Sequence, residues 1–218
     1  MPVDTTDVDH GRCCGSHGKI FHVSNLEHEP LIRRVLGTNY LQLGVAKLLI
    51  EEDPASGASV KITVSEGETP VEVEGKGVGV VDALYGALLG RYARQYQSLK
   101  TIELASFAVA ADVGTKKANA GVDAVGRVTI DVRNSEGRHF IFSHASRSVM
   151  TSTACAVLSC VQYFVNAERA FLTLYNARRD ALARGREDLV ARYTREMAEV
   201  VEATSYADVI ANIRKELA

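Results

Sequence analysis

The chain has 218 residues, 46% hydrophobic and 24% charged, with a formal net charge of −2. That is enough for one domain, or one domain with an appendage, built around a real apolar core. The weakly acidic balance gives no electrostatic ground for nucleic acid or an anionic membrane as partner, and no apolar run reaches the roughly 20 residues of a membrane span.

Residues 1–38 read as an N-terminal arm. Its opening, "MPVDTTDVDHGRCCGSHG", is acidic and polar and has no apolar h-region, so it is not read as a secretory signal. His10, Cys13, Cys14, His17 and His22 carry side chains suited to zinc. Adjacent cysteines rarely both ligate one ion, however, and no second C-x-x-C pair follows. No metal and no cofactor is therefore assigned. Cys13–Cys14 and Cys155–Cys160 fit no secreted disulfide framework, and the expected location is a reducing cytoplasm.

Residues 39–97 and 101–166 read as two copies of one plan. "YLQLGVAKLLI" (40–50) is set against "TIELASFAVAA" (101–111), and "VKITVSEGE" (60–68) against "VTIDVRNSEG" (128–137). Val60, Ile62 and Val64 match Val128, Ile130 and Val132, alternating as in a strand with one buried face. Each strand meets a turn ending in Gly67 or Gly137, then a third short strand, "VEVEG" or "HFIFS".

A helix closes each copy. The first, "VVDALYGALLGRYARQY", carries a stripe of Val81, Leu84, Leu88 and Tyr92; the second, "MTSTACAVLSCVQYFVN", is dense in small apolar residues. The fold class is thus α+β: two βββα repeat units, each an antiparallel three-stranded sheet packed by a helix, plus a C-terminal helical extension at 167–218. The extension breaks at Gly185 and carries a stripe of Leu189, Tyr193, Met197 and Val200, then "YADVIANIRKEL". Two small sheets would leave the helix around 154–161 partly uncovered, so a homodimer is expected.

Between the third strand and the first helix, Gly75, Gly77 and Gly79 fall at every second position. A dinucleotide fingerprint fails, because G-x-G-x-x-G needs glycine where Val80 stands. Two readings remain. A tight strand-to-helix turn can require glycine for its dihedrals, and a ligand can require bare backbone at a helix start, where N–H groups favour anions.

"GKGVGVVDAL", followed by "IELASFAVAADVG" and "AGVDAVGRVTIDV" and closed by the small-residue helix ending at Asn166, resembles the C-terminal allosteric domain of 2-isopropylmalate synthases. Citramalate synthases carry a similar domain. The resemblance implies two βββα units, a homodimer, and binding of an end-product amino acid, leucine or isoleucine, that inhibits a separate TIM-barrel catalytic domain. It also implies the ligand-binding residues: Gly75, Gly77, Val78, Gly79, Val80, Asp82 and Ala83, with Ser152 beside the second loop, "SHASRSVMTS". The family loop commonly reads G-x-G-N-G-P; Val78 and Val80 stand at the Asn and Pro places.

The condensation run by those synthases uses a metal held by residues that include an H-x-H pair. His10, His17, His22, His28, His139 and His144 contain no such pair, and a barrel of roughly 200–250 residues has no room here. Asp112, Asp123 and Asp131 read as turn or edge positions, and His144 reads as a structural histidine or a ligand contact. No catalytic residue is assigned. The expected function is a regulatory domain that binds a branched-chain amino acid or regulates a separate catalytic synthase chain. The alternative is a homodimeric scaffold that kept the fold and lost the ligand. On the first reading, Gly77→Val should abolish binding and leave the fold intact.

Overall fold

The computed structural model describes residues 27–67, 69–111 and 125–203. The N-terminal Cys/His segment, Asp112, Asp123 and "YADVIANIRKEL" lie outside the described residues. In chain order the elements are α1 (Glu29–Leu36), β1 (Leu43–Asp53), β2 (Gly57–Glu66), β3 (Thr69–Gly77), α2 (Val80–Tyr92), β4 (Glu103–Ala111), β5 (Gly126–Arg133), β6 (His139–Ser146), α3 (Val149–Ala183) and α4 (Glu187–Glu202). They form two antiparallel sheets, β1-β2-β3 and β4-β5-β6, each followed by its helix, with a helical extension behind.

The central strands set the arrangement. Val60, Ile62 and Val64 of β2 and Val128, Ile130 and Val132 of β5 are all buried. Each such side chain removed from water contributes about 1.5–3 kcal/mol. Register follows from that face: Ile62 lies opposite Leu48 and Val73, and Ile130 opposite Phe107 and Phe142. A slip by one residue would turn either set into solvent. Gly67 (φ 61°) and Gly137 (φ 78°) close the second hairpin of each unit in the left-handed conformation that turn demands.

The duplication extends to an irregularity that periodicity does not reveal. β1 bulges between Val45 and Lys47, and β4 between Leu104 and Ser106. Val45 pairs with Val64 and Leu104 with Val132, so the two bulges sit at equivalent places. The register thus equates Val45 with Leu104, two residues away from the equivalence read from the sequence.

α2 lies on β2 and β3 with Val80, Ala83, Leu84, Ala87, Leu88 and Tyr92 buried, so its stripe starts at Val80, not at the expected Val81. α3 packs on β5 and β6 and also touches β1, α1 and α2, standing between the units. It is one 35-residue helix that runs through Asn166 without a break, because no Gly or Pro interrupts it. By length and composition it could cross a membrane, but 78% of its apolar window is buried inside the protein. Asn166 exchanges two 2.8 Å hydrogen bonds with the Leu41 backbone, Gln162 Oε1 accepts from Leu43 N–H, and Glu168 accepts from Ser98, whereas the buried Tyr163 hydroxyl has no partner among the described residues.

The small-residue stretch of α3, expected to be partly uncovered, gives no ground for a dimer. Ala154–Leu158, Cys160 and Val161 are buried within one chain, so the small-residue stretch of α3 is already covered. Apolar surface is left open on the first strand of each sheet, among other places. Leu104 and Phe107 share the inward face with Val132 and Ile130 yet are half-buried, and Val109, opposite buried Val128, is 49% exposed.

α1 and α4 complete the core. α1 inserts Leu31, Ile32 and Leu36 against α3, and α4 adds Met197 and Val200. Arg34 and Glu196 pair at 3.1 Å between α1 and α4.

Candidate functional site

Strand β3 turns the face that carries Val73 toward α2, and Gly75 and Gly77 lie on that same face. A methyl group at Gly75 would stand 2.5 Å from Ala87 Cβ and 2.7 Å from Ala83 O; at Gly77 it would stand 2.5 Å from Asp82 Oδ2 and 2.6 Å from Ala83 N. What comes so near the backbone at these two positions is the helix that follows. Neither glycine has positive φ. Gly77→Val is accordingly a packing lesion, which corrects the expectation that it would spare the fold.

The hairpin turn between β1 and β2 supports the same loop. Gly57 (φ 94°) leaves space that the Gly77 carbonyl fills, and a side chain there would collide with that carbonyl. Sequence reading missed Gly57. "DPASG" signals a turn, but only the register, which sets Ala58 opposite Gly77, shows what the turn abuts.

The loop tip has a different character. Gly79 is the extended N-cap of α2, with nothing within 4 Å of where a methyl would stand. Val78 is 91% exposed. Its N–H donates to Asp82 Oδ2 at 3.1 Å, and Ala83 N–H donates to Gly79 O at 3.0 Å as the first bond of the helix. Helix geometry leaves the amides of Val80, Val81 and Asp82 without carbonyls one turn back. Val80 and Ala83 side chains are buried beneath. The tip therefore offers helix-start amides to an anion, beside a carboxylate that already occupies the Val78 amide and suits an ammonium.

Seven of the eight predicted residues are thus brought together. Ser152 is not among them: it is fully buried in the second unit, where its Oγ lies 2.9 Å from Ser146 Oγ, 3.4 Å from His144 Nδ1 and 3.3 Å from the Gly126 carbonyl. Val60 pairs with Gly75 and Val128 with His144; Ala58 pairs with Gly77 and Gly126 with Ser146. His144 and Ser146 therefore take the places of Gly75 and Gly77. The second unit fills with a buried polar cluster the space into which α2 settles in the first. Desolvation holds His144 below the ordinary histidine pKa, so its buried ring is favoured neutral.

The other candidate residues that are described lie in the second unit. Asp131 pairs with exposed His139 at 2.9 Å on the outer face of β5 and β6. Cys155, which is disulfide-bonded, and Cys160 are buried in α3, and burial pushes the Cys160 thiol up, away from reactivity. Among the described residues no group of three or more His, Cys, Asp or Glu could hold a metal ion. A concavity of about 580 Å³ lies over the first sheet, between Leu49, Lys61 and Glu74, and of the predicted site it includes Gly75 alone.

The family model of the LeuA allosteric (dimerisation) domain matches residues 23–165. That span takes in α1, both sheets, α2 and the first half of α3. Among curated proteins none matches the chain.

Proposed function

This chain belongs to the LeuA allosteric (dimerisation) domain family, and from that premise we propose that it binds a branched-chain amino acid, leucine or isoleucine, at the tip of the glycine loop and thereby regulates a separate catalytic chain. A regulatory or dimerisation role of this kind comes with the family. The observation that carries the finer reading is the loop itself, which presents helix-start amides and the Asp82 carboxylate side by side at an open surface. An amino acid carries the complementary pair, a carboxylate and an ammonium.

The regulatory unit on this reading is a homodimer. The second copy covers the open apolar side of β4, at Leu104, Phe107 and Val109, and the matching half-buried Leu48 and Ile50 of β1. Titration calorimetry with leucine, isoleucine and valine tests the ligand. Binding should be unchanged or stronger in Val78→Asn, which restores the residue usual in the family; absence of heat with all three amino acids refutes it.

One observation favours the second reading, a dimeric scaffold without a ligand. Gly75 and Gly77 are accounted for by helix packing, and Asp82 satisfies the Val78 amide from within. On that reading Val78→Asn changes nothing in the presence of any amino acid, while the dimer persists.

A further inference from the structure

β4 pairs with β5 along one edge, and among the described residues no strand lies along its other edge. Nor does any of residues 104–111 hydrogen-bond outside that sheet. A free edge is a template for another strand, and proteins guard it with charge, proline or a covering element. The other three edges are guarded in these ways. β1 carries Lys47 and Glu51 and lies against α3, β3 carries Pro70 and Glu72, and β6 tucks Phe140 and Phe142 under α3. β4 has no such guard: residues 104–111 include no charge and no proline, and Val109 is 49% exposed. Its bulge is confined to the stretch between Leu104 and Ser106, and residues 106–111 then run in unbroken register with β5.

We propose that β4 pairs antiparallel with β4 of a second copy of this chain, across a two-fold axis at Ala108, so that the two β4-β5-β6 sheets become one. The proposal rests on the homodimer reading above and says how the copies meet. β4 suits itself as a partner. Phe107 and Val109 lie opposite buried Ile130 and Val128, so both belong to the inward, apolar face. An axis at Ala108 sets Phe107 against Val109 of the partner subunit, and symmetry repeats the contact. Aromatic and β-branched residues directly opposite one another are a favourable cross-strand pair. On the outer face Ser106 meets Ala110 of the partner subunit, two small side chains. Glu103, the one charged residue of β4, sits at the end away from the axis, so no charge is brought against its like.

Ala108 is the place to test this, because it is exposed and points away from the apolar face. A charge placed there meets its own symmetry copy about 5 Å away. Light scattering of the full chain should give wild type the mass of a dimer, and Ala108→Lys and Ala108→Asp half of it. An equimolar mixture of the two variants should regain the dimer mass, since lysine then faces aspartate. A dimeric Ala108→Lys overturns the edge pairing and leaves the homodimer standing, and so does a mixture that stays monomeric beside a dimeric wild type. A monomeric wild type overturns both. Hydrogen exchange on the wild-type dimer needs no variant: the alternate amides of residues 106–110 that β5 leaves free should be protected. Their exchange at the rate of unstructured chain overturns the proposal.

Discussion

Adding one methyl group at each of three glycines separates packing from binding in the loop. In Gly77→Ala the new carbon would press on the Ala83 amide at 2.6 Å and on the Asp82 carboxylate at 2.5 Å, and the first of these is backbone of α2. Relief requires the helix to lift from β3, loosening Val80, Ala83 and Leu84. In Gly75→Ala the collision is with Ala87 Cβ at 2.5 Å, again on a rigid element. Overpacking of this kind costs about 1–3 kcal/mol, and for a chain of this size each kcal/mol lowers the melting temperature by about 2–4 °C. Both variants should therefore melt roughly 2–12 °C below wild type. Gly79→Ala meets open space and has extended backbone, so it should stay within about 0.5 kcal/mol. Thermal and urea unfolding of the three proteins give the comparison. Wild-type stability in Gly75→Ala and Gly77→Ala would refute the seating of α2 on β3. A loss in Gly79→Ala as large as theirs would refute the assignment of the open tip.

Phe107→Asp should weaken the dimer, giving a monomer by light scattering at micromolar concentration, whereas Ser159→Asp on partly buried α3 should act on stability first. Stability should fall as pH drops below about 6.5, the ordinary histidine value, because unfolded His144 takes up a proton that the buried ring resists. That contribution is complete above about pH 6.5, is lost progressively below it until the folded-state pKa is passed, and should be missing from the urea-unfolding profile of His144→Asn. The purified chain should release no CoA from acetyl-CoA in the presence of 2-oxo acids and a divalent metal. Release dependent on the oxo acid would contradict that.

Both sheets were legible because β2 and β5 are central strands with one face in the core, so burial imposes period 2 on V-x-I-x-V. The first strands were less legible, since each bulges after Val45 or Leu104 and a bulge shifts the register without a sequence mark. α1 escaped notice as a core element. It has two turns, and Leu31, Ile32, Val35 and Leu36 are split by Arg33 and Arg34, too short a run for a period to show. In α2 the helix is apolar nearly all round, which put the start of the expected stripe at Val81 rather than Val80, while Leu84, Leu88 and Tyr92 are buried as expected. The loop glycines were found by spacing alone. Their purpose was not, because alternate residues of a strand share a face whether a ligand or a helix comes to meet it. Ser152 was misplaced for a related reason: the second unit replaces glycine by His144 and Ser146, and the resulting cluster turns inward.

The central claim, a LeuA-type domain that answers to a branched-chain amino acid, is tested most directly by melting the wild-type chain against each of the twenty amino acids. A ligand at 100 times its dissociation constant adds about 2.7 kcal/mol of stability, a shift of roughly 5–11 °C at this size. Leucine or isoleucine should produce that shift. Twenty unshifted melting curves at millimolar amino acid would contradict it.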